Sequence, residues 1–138
     1  MYSWATAERT YEGFPLFLRR PTDVDTVVHR QSFPDLVVVT HTLAKRLPDG
    51  RPESDYNREL EDLDVAIVRA FDSAHCGVPV LVETFGGERN YYFYVASGID
   101  LSAILEPIIA SYPSERLAWE VRPNNNWCLL DQYTKDFF

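Results

Sequence analysis

The sequence predicts an α+β fold in which two helices cover one face of a four-stranded sheet. Three observations support this prediction: an apolar, β-branched run at residues 33–43, a helical apolar period over residues 56–74, and a hairpin signal centred on Gly86-Gly87. A chain of 138 residues has the length of a single domain and can bury one core. We therefore treat residues 1–138 as one domain.

An N-terminal hairpin is the first predicted element. Residues 4–9 and 14–20 contain the strands, and Glu12 and Gly13 lie at the turn between them. Residues 21–32 are polar, so we expect a connection there, extended only briefly. Residues 1–32 thus form an N-terminal hairpin and connection that precede the core at 33–122, and a tail occupies 123–138.

A buried strand and a helix open the core. Residues 33–43 are apolar on both faces, which is typical of a central strand buried on two sides. After a turn at Pro48-Asp49-Gly50, apolar residues recur every three or four positions, which predicts a helix with one buried stripe. The stripe consists of Tyr56, Leu60, Leu63, Ile67, Phe71 and Ala74. We expect Ser54 or Asp55 to cap this helix and Gly77 to follow its end.

The second hairpin has a two-residue loop at Gly86-Gly87, which sets its register. Continued alternation from this loop predicts the cross-strand pairs Val82–Tyr91, Leu81–Tyr92, Val80–Phe93, Pro79–Tyr94 and Val78–Val95. The register places Tyr92 and Tyr94 together on the face of the sheet opposite the two helices.

A second helix and a last strand complete the core. Asp100 is the expected cap of the helix, and Pro107 should kink or shorten it. The strand that follows turns Leu117, Trp119 and Val121 inward. This order of elements predicts a ferredoxin-like βαββαβ core with an additional N-terminal β-hairpin and an aromatic C-terminal tail.

Composition restricts the partners. The formal net charge of −8 disfavours sequence-independent binding to nucleic acid and binding to an anionic membrane.

The N-terminal residues lack the pattern of a signal peptide, and no apolar run is long enough to span a bilayer. Cys76 and Cys128 follow no metal-ligand spacing. We interpret them as reduced thiols of a cytoplasmic protein, with a disulfide as the alternative.

An acidic cluster is the first candidate site. Six carboxylates and one base, Arg58, lie within residues 53–64 and give a net charge of −5. Asp55, Glu59 and Asp62 fall on one helical stripe, where like charges destabilise a helix by about 0.2–0.5 kcal/mol per pair. The cluster is either a solvated helix face, with acids favoured near the helix N-terminus, or a docking surface for a basic protein partner.

An aromatic face is the second candidate site. Tyr92 and Tyr94 could stack against a small ligand or a nucleotide on the open face of the sheet. Alternatively, the N-terminal hairpin or the tail covers them, because uncovered apolar patches are rare on monomers.

Catalytic, metal and cofactor motifs are absent from the sequence. His29, His41 and His75 have no second ligand at metal spacing, and His41 is expected to be a satisfied core or edge residue. No GxSxG, P-loop or HExxH pattern occurs. We therefore expect no cofactor, no metal and no enzymatic activity, and keep an enzyme built from scattered acids as a third hypothesis.

Three segments together resemble the bacterial family called "domain of unknown function 695". They are Asp49-Gly50-Arg51-Pro52, the run from Gly87 to Val95, and Tyr112-Pro113 followed by a strand and a tail centred on Trp127. Glu12-Gly13-Phe14-Pro15 also fits the opening hairpin of that family. The resemblance implies no established catalytic residues. Members are sometimes joined to a domain similar to the ribonuclease E activity regulator, an acidic ferredoxin-like inhibitor, which implies a protein partner.

The leading hypothesis is a non-catalytic protein-binding module. It would act as a regulator or an immunity-type inhibitor that meets a basic partner through Asp55, Glu59 and Asp62. The alternative is a small-ligand or nucleotide-binding domain that uses Tyr92 and Tyr94.

Overall fold

The computed structural model describes residues 2–138, in which five helices accompany one six-stranded antiparallel sheet. The strands are β1 (Trp4–Tyr11), β2 (Phe14–Pro21), β3 (Asp35–Thr42), β4 (Gly77–Phe85), β5 (Glu88–Val95) and β6 (Arg116–Arg122). The helices are α1 (Thr26–His29), α2 (Ser54–Glu59), α3 (Glu61–Val68), α4 (Leu101–Ser111) and α5 (Cys128–Phe137). The predicted α+β class is confirmed. Across the described residues, no helix is both long and apolar enough to cross a membrane.

The sheet has the strand order β1-β2-β4-β5-β3-β6. Strand β3 lies between β5 and β6, and Val38 pairs with Tyr92 on one side and Glu120 on the other. Leu36 and Val37 are fully buried on opposite faces of this strand. The prediction of a central strand buried on two sides is confirmed, because the consecutive apolar residues Leu36 to Val39 point alternately to the two faces and require a cover on both.

Each face of the sheet is covered by a separate set of helices. On one face, α2, α3 and α4 pack against side chains that include Val37, Val39, Val82, Tyr91 and Phe93. On the opposite face, α5 packs against Leu36, Val38, Leu81, Tyr92 and Tyr94, and this apolar surface continues onto β1 and β2 of the same sheet. The core is therefore two apolar clusters separated by a single sheet, rather than one cluster under two helices.

The second hairpin has the predicted turn. Gly86 and Gly87 both have positive φ (62° and 83°), as a type I′ turn requires. Val82 pairs with Tyr91 and Leu81 with Tyr92, as predicted.

Beyond Leu81, the predicted register of this hairpin is wrong. An irregularity between Pro79 and Leu81 shifts the pairing by one residue, so Pro79 pairs with Phe93 and Val78 with Tyr94. Val80 then turns to the same face as Leu81. A bulge is compatible with Pro79, because proline has no N–H to give to a regular ladder.

The predicted first helix is divided in two. Helices α2 and α3 meet at Leu60, which has φ −83° and ψ 0°. The predicted stripe is buried from Tyr56 to Phe71, but Ala74 is exposed because turns replace the helix after Val68. The predicted cap at Ser54 or Asp55 is wrong: the N-cap is Glu53, without a side-chain hydrogen bond.

The connection after the N-terminal hairpin is helical rather than extended. The Asp25 carboxylate accepts hydrogen bonds from the backbone N–H of Val27 (3.0 Å) and Val28 (3.1 Å), which starts the short helix α1. Gly77 does not end a helix but begins β4.

The second half of the core follows its prediction more closely. Asp100 caps α4 by accepting a hydrogen bond from the N–H of Ala103 at 3.1 Å. The helix continues to Ser111, so Pro107 does not shorten it. Val121 was expected inside but is 42% exposed, because β6 is an edge strand.

Candidate functional site

A groove separates the N-terminal hairpin from the helices. Helices α2 and α3 lie over β3, β4 and β5, whereas β1 and β2 extend the sheet beyond them. The space left between has a volume of about 520 Å³, and we call it the hairpin groove. Its walls come from β1, β2, α2 and α3, and its floor from the ends of β4 and β5. They contribute Thr6, Ala7, Glu8, Phe17, Leu18, Arg19, Asn57, Arg58, Leu60, Glu61, Asp64, Val82, Thr84 and Arg89.

Asp64 joins three elements at one end of the groove. Its Oδ1 atom pairs with the guanidinium of Arg19 and accepts a hydrogen bond from the Tyr91 hydroxyl at 2.7 Å. The Arg19 guanidinium also lies over the Trp4 ring, 4.5 Å from its centroid. Burial and the neighbouring Asp64 raise the pKa of Tyr91 above its ordinary range. The hydroxyl donates to Asp64, and the cluster fixes α3 to the sheet.

Arg89 occupies the floor of the hairpin groove. Its Nε atom donates to Thr84 Oγ1 and its Nη2 atom to Asn57 Oδ1, both at 3.0 Å. Thr84 and Arg89 are opposite each other in the β4–β5 ladder, and Asn57 reaches them from α2. Two neutral acceptors therefore hold this guanidinium in place.

A second polar cluster is buried beside the floor of the groove, where His41 pairs with Arg89 across the β3–β5 ladder. His41 Nε2 lies 3.0 Å from Glu115 Oε1, and the Tyr56 hydroxyl donates to the same oxygen while accepting from the N–H of Ala44 at 3.0 Å. Burial lowers the pKa of His41, and the hydrogen bond to Glu115 opposes this only in part. Burial and Glu115 raise the pKa of Tyr56 to about 12. The expectation that His41 is a satisfied core residue is confirmed.

The predicted acidic residues Asp55, Glu59 and Asp62 are exposed, but they do not share one regular helix. Glu59 ends α2 and Asp62 lies in α3, beyond the break at Leu60. Arg58, the one base of the cluster, pairs with Asp55 and offsets part of their repulsion. The pair is highly exposed and contributes little stability.

The predicted aromatic residues Tyr92 and Tyr94 are buried beneath α5. The Tyr94 ring is stacked on Trp127, with centroids 4.5 Å apart, and its hydroxyl donates to Asn125 Oδ1 at 2.6 Å. The Tyr92 hydroxyl donates to Glu83 Oε1 at 3.3 Å. Of the two alternatives given for this face, the covered one is therefore confirmed, and the tail is the cover.

Trp127 anchors the covering helix. Its side chain is 0% exposed, its Nε1 donates to the carbonyl of Phe33 at 2.9 Å, and Arg30 lies over its ring. The helix itself was not predicted. Its signal in the sequence is the apolar spacing of Leu130, Tyr133 and Phe137, at intervals of three and four residues.

The described residues offer little for metal or thiol chemistry. Among residues 2–138, no group of three or more His, Cys, Asp and Glu side chains is placed to hold a metal ion. Cys76 and Cys128 are free thiols, and burial raises the pKa of Cys76. A raised pKa disfavours the thiolate that a nucleophile needs.

The fold and its surfaces define a mixed α+β domain with a groove of mixed polar and apolar lining beside an acidic helical surface. The model of the family of unknown function DUF695 matches residues 2–134, so the chain belongs to that family. The resemblance expected from the sequence is thereby confirmed. No curated protein matches the chain, and no solved structure matches it.

Proposed function

We propose that this protein is a non-catalytic protein-binding module that acts in the cytoplasm as a regulator or an immunity-type inhibitor. Its binding surface is the exposed carboxylates of α2, α3 and the residue before them, which we call the acidic surface. They are Glu53, Asp55, Glu59, Glu61 and Asp62. The occupant is a basic protein partner.

The main support is the excess of charge on this surface. Within residues 2–138, Asp55 is the one member of the acidic surface that has an ion-pair partner. The other four carboxylates are exposed and repel one another, so a cationic partner relieves that repulsion. Exposed ion pairs contribute only about 0.2–1 kcal/mol each, so the surface acts mainly by accelerating encounter, and salt suppresses its effect.

The arrangement of the core supports a finer description. Leaving out the N-terminal hairpin, the strands lie in the antiparallel order β4-β5-β3-β6, with α2, α3 and α4 on one face. We propose that this is a ferredoxin-like core to which the hairpin adds two strands. The proposed compartment is supported by the free thiols of Cys76 and Cys128, since oxidising compartments favour disulfides.

Ligand binding on Tyr92 and Tyr94 is the weaker proposal. It requires α5 to leave the sheet, which breaks the stacking on Trp127 and the hydrogen bonds to Asn125 and Glu83.

A salt-dependent capture experiment tests the leading proposal. One variant neutralises three carboxylates of the acidic surface through Glu59→Gln, Glu61→Gln and Asp62→Asn. Its matched control removes the same charge elsewhere on exposed residues, through Glu12→Gln, Glu120→Gln and Asp136→Asn. Each immobilised protein is exposed to bacterial lysate at about 50 mM and about 500 mM salt.

The wild type and the control should capture the same partner at low salt and lose it at high salt, whereas the acid-neutralised variant should not capture it. Salt-insensitive capture, no capture, or capture that survives neutralisation of the acidic surface would contradict the proposal.

A further inference from the structure

We infer that the hairpin groove binds a small organic anion and that Arg89 holds its carboxylate or phosphate group. This site has a role separate from the proposed acidic-surface function, although Glu61 belongs to both surfaces. Substitution of Arg89 leaves every carboxylate of the acidic surface in place, so the two proposals fail independently.

The first argument is that Arg89 makes no direct ion pair. Three guanidinium groups line the hairpin groove within the described residues. Arg19 pairs with Asp64 and Arg58 with Asp55, whereas Arg89 has no carboxylate within ion-pair distance anywhere in residues 2–138. Partly buried cations normally find a partner, so an arginine held only by neutral acceptors is available to an external anion.

The second argument is that Arg89 is oriented in advance. A guanidinium group has five N–H donors, and the contacts to Thr84 and Asn57 use one on Nε and one on Nη2. The Nη1 atom and the second N–H of Nη2 keep free donors, in the fork geometry that suits two oxygens of one carboxylate or phosphate. A side chain already fixed by the protein loses less entropy when it binds a ligand.

The third argument concerns the walls of the groove, which define the ligand. A volume of about 520 Å³ is within the range of small-molecule sites. Phe17, which is half-buried, offers apolar surface to the body of a ligand above the buried side chains of Leu60 and Val82, while Glu8 and Glu61 repel additional negative charge. The expected ligand is therefore a compact molecule with one anionic group and an apolar part, and a polyanion is excluded.

NMR titration of the full chain tests this inference. The probes are benzoate and phenyl phosphate, which distinguish a carboxylate from a phosphate, with benzamide as the uncharged analogue of benzoate. Backbone amide shifts and the Arg89 Nε–H signal are followed at constant ionic strength up to about 50 mM probe, a range suited to millimolar affinity. The variants are Arg89→Gln, Arg89→Lys and the control Arg122→Gln, which removes an exposed arginine of the remote edge strand β6.

Saturable shifts around Asn57, Thr84 and Arg89 should appear with benzoate, phenyl phosphate or both, and not with benzamide. Arg89→Gln should weaken this binding at least about tenfold, whereas Arg122→Gln should leave it unchanged. Arg89→Lys keeps the positive charge but lacks the two parallel N–H donors of a guanidinium group, so it should also weaken binding. It serves as the second variant if the amide spectrum shows that Arg89→Gln does not fold.

The inference is wrong if neither anion produces saturable shifts in the groove, or if benzamide produces the same shifts as benzoate. It is also wrong if the binding survives in the folded Arg89 variants, since the arginine then only connects β5 to α2.

Discussion

Replacement of Trp127 is the sharpest test of how α5 is held on the sheet. Trp127→Ala removes a fully buried indole that stacks on Tyr94 and donates to the carbonyl of Phe33. Truncation of a buried tryptophan to alanine costs about 3–5 kcal/mol. Since single domains are stable by only about 5–15 kcal/mol in total, this substitution should remove a large share of the free energy of unfolding.

Trp127→Phe separates the contribution of the aromatic ring from that of the indole hydrogen bond. Phenylalanine keeps an aromatic ring for Tyr94 but has no N–H, so the Phe33 carbonyl loses its partner. An unsatisfied buried acceptor costs about 1–3 kcal/mol, so the phenylalanine variant should lie between the wild type and the alanine variant.

Urea unfolding followed by far-UV circular dichroism measures both losses, because this signal comes mainly from the backbone, whereas fluorescence would change with the removal of tryptophan itself. Hydrogen exchange of the α5 amides shows whether the helix detaches before the rest unfolds. A Trp127→Ala variant within about 1 kcal/mol of the wild type would refute the view that this side chain anchors α5.

Three further predictions concern buried polar groups and a close backbone contact. Burial lowers the pKa of His41 in the folded protein, so the unfolded chain binds a proton more readily. The free energy of unfolding is therefore retained above about pH 6.5 and falls as the pH drops from there towards the folded pKa. His41→Gln should flatten this pH dependence in urea titrations. In thermal unfolding, Gly50→Ala should destabilise the protein by at least about 1 kcal/mol more than Gly13→Ala. Both glycines have positive φ, but a Cβ at Gly50 would lie 2.9 Å from a backbone nitrogen, whereas a Cβ at Gly13 would meet no atom within 4 Å. Tyr133→Phe should cost about 1–2 kcal/mol in urea unfolding, because its hydroxyl donates to Glu83 Oε2 at 2.6 Å.

Each of these predictions has a control and a contrary result. His75→Asn, at an exposed histidine, should keep the pH dependence, and an unchanged slope in the His41 variant would exclude His41 as its source. Equal losses for the two glycine variants would mean that the backbone contact at Gly50 is unimportant. Tyr11→Phe, at a tyrosine that is 48% exposed, should change stability by less than about 0.5 kcal/mol, and an equal loss in both tyrosine variants would contradict a role for Glu83.

Local signals in the sequence predicted the elements that depend on neighbouring residues. The Gly86-Gly87 loop and the Asp100 cap are correct because a type I′ turn and an N-cap are determined within a few residues. The bulge near Pro79 was missed, since it depends on how β4 meets β5. Helix α5 was also missed, although the spacing of Leu130, Tyr133 and Phe137 carried a signal for it.

Of the two candidate sites, one was predicted from the sequence and the other was found only in the tertiary structure. The sequence identified the acidic surface, because a concentration of charge is a property of composition and solvation keeps most carboxylates exposed. It did not indicate the hairpin groove. Arg19, Asn57 and Arg89 are far apart in the chain, and they come together only because β2 pairs with β4 and α2 crosses the end of the second hairpin.

The unbroken apolar run from Leu36 to Val39 by itself determined that β3 is a central strand and that both faces of the sheet must be covered. Only the tertiary structure decided which segment covers the second face, and it selected α5, so that Tyr92 and Tyr94 became core residues instead of a binding surface. The physical reason is that burial of apolar surface is not directional: a pattern shows that a face must be covered, whereas the choice of cover depends on chain connectivity and on specific contacts such as those of Trp127.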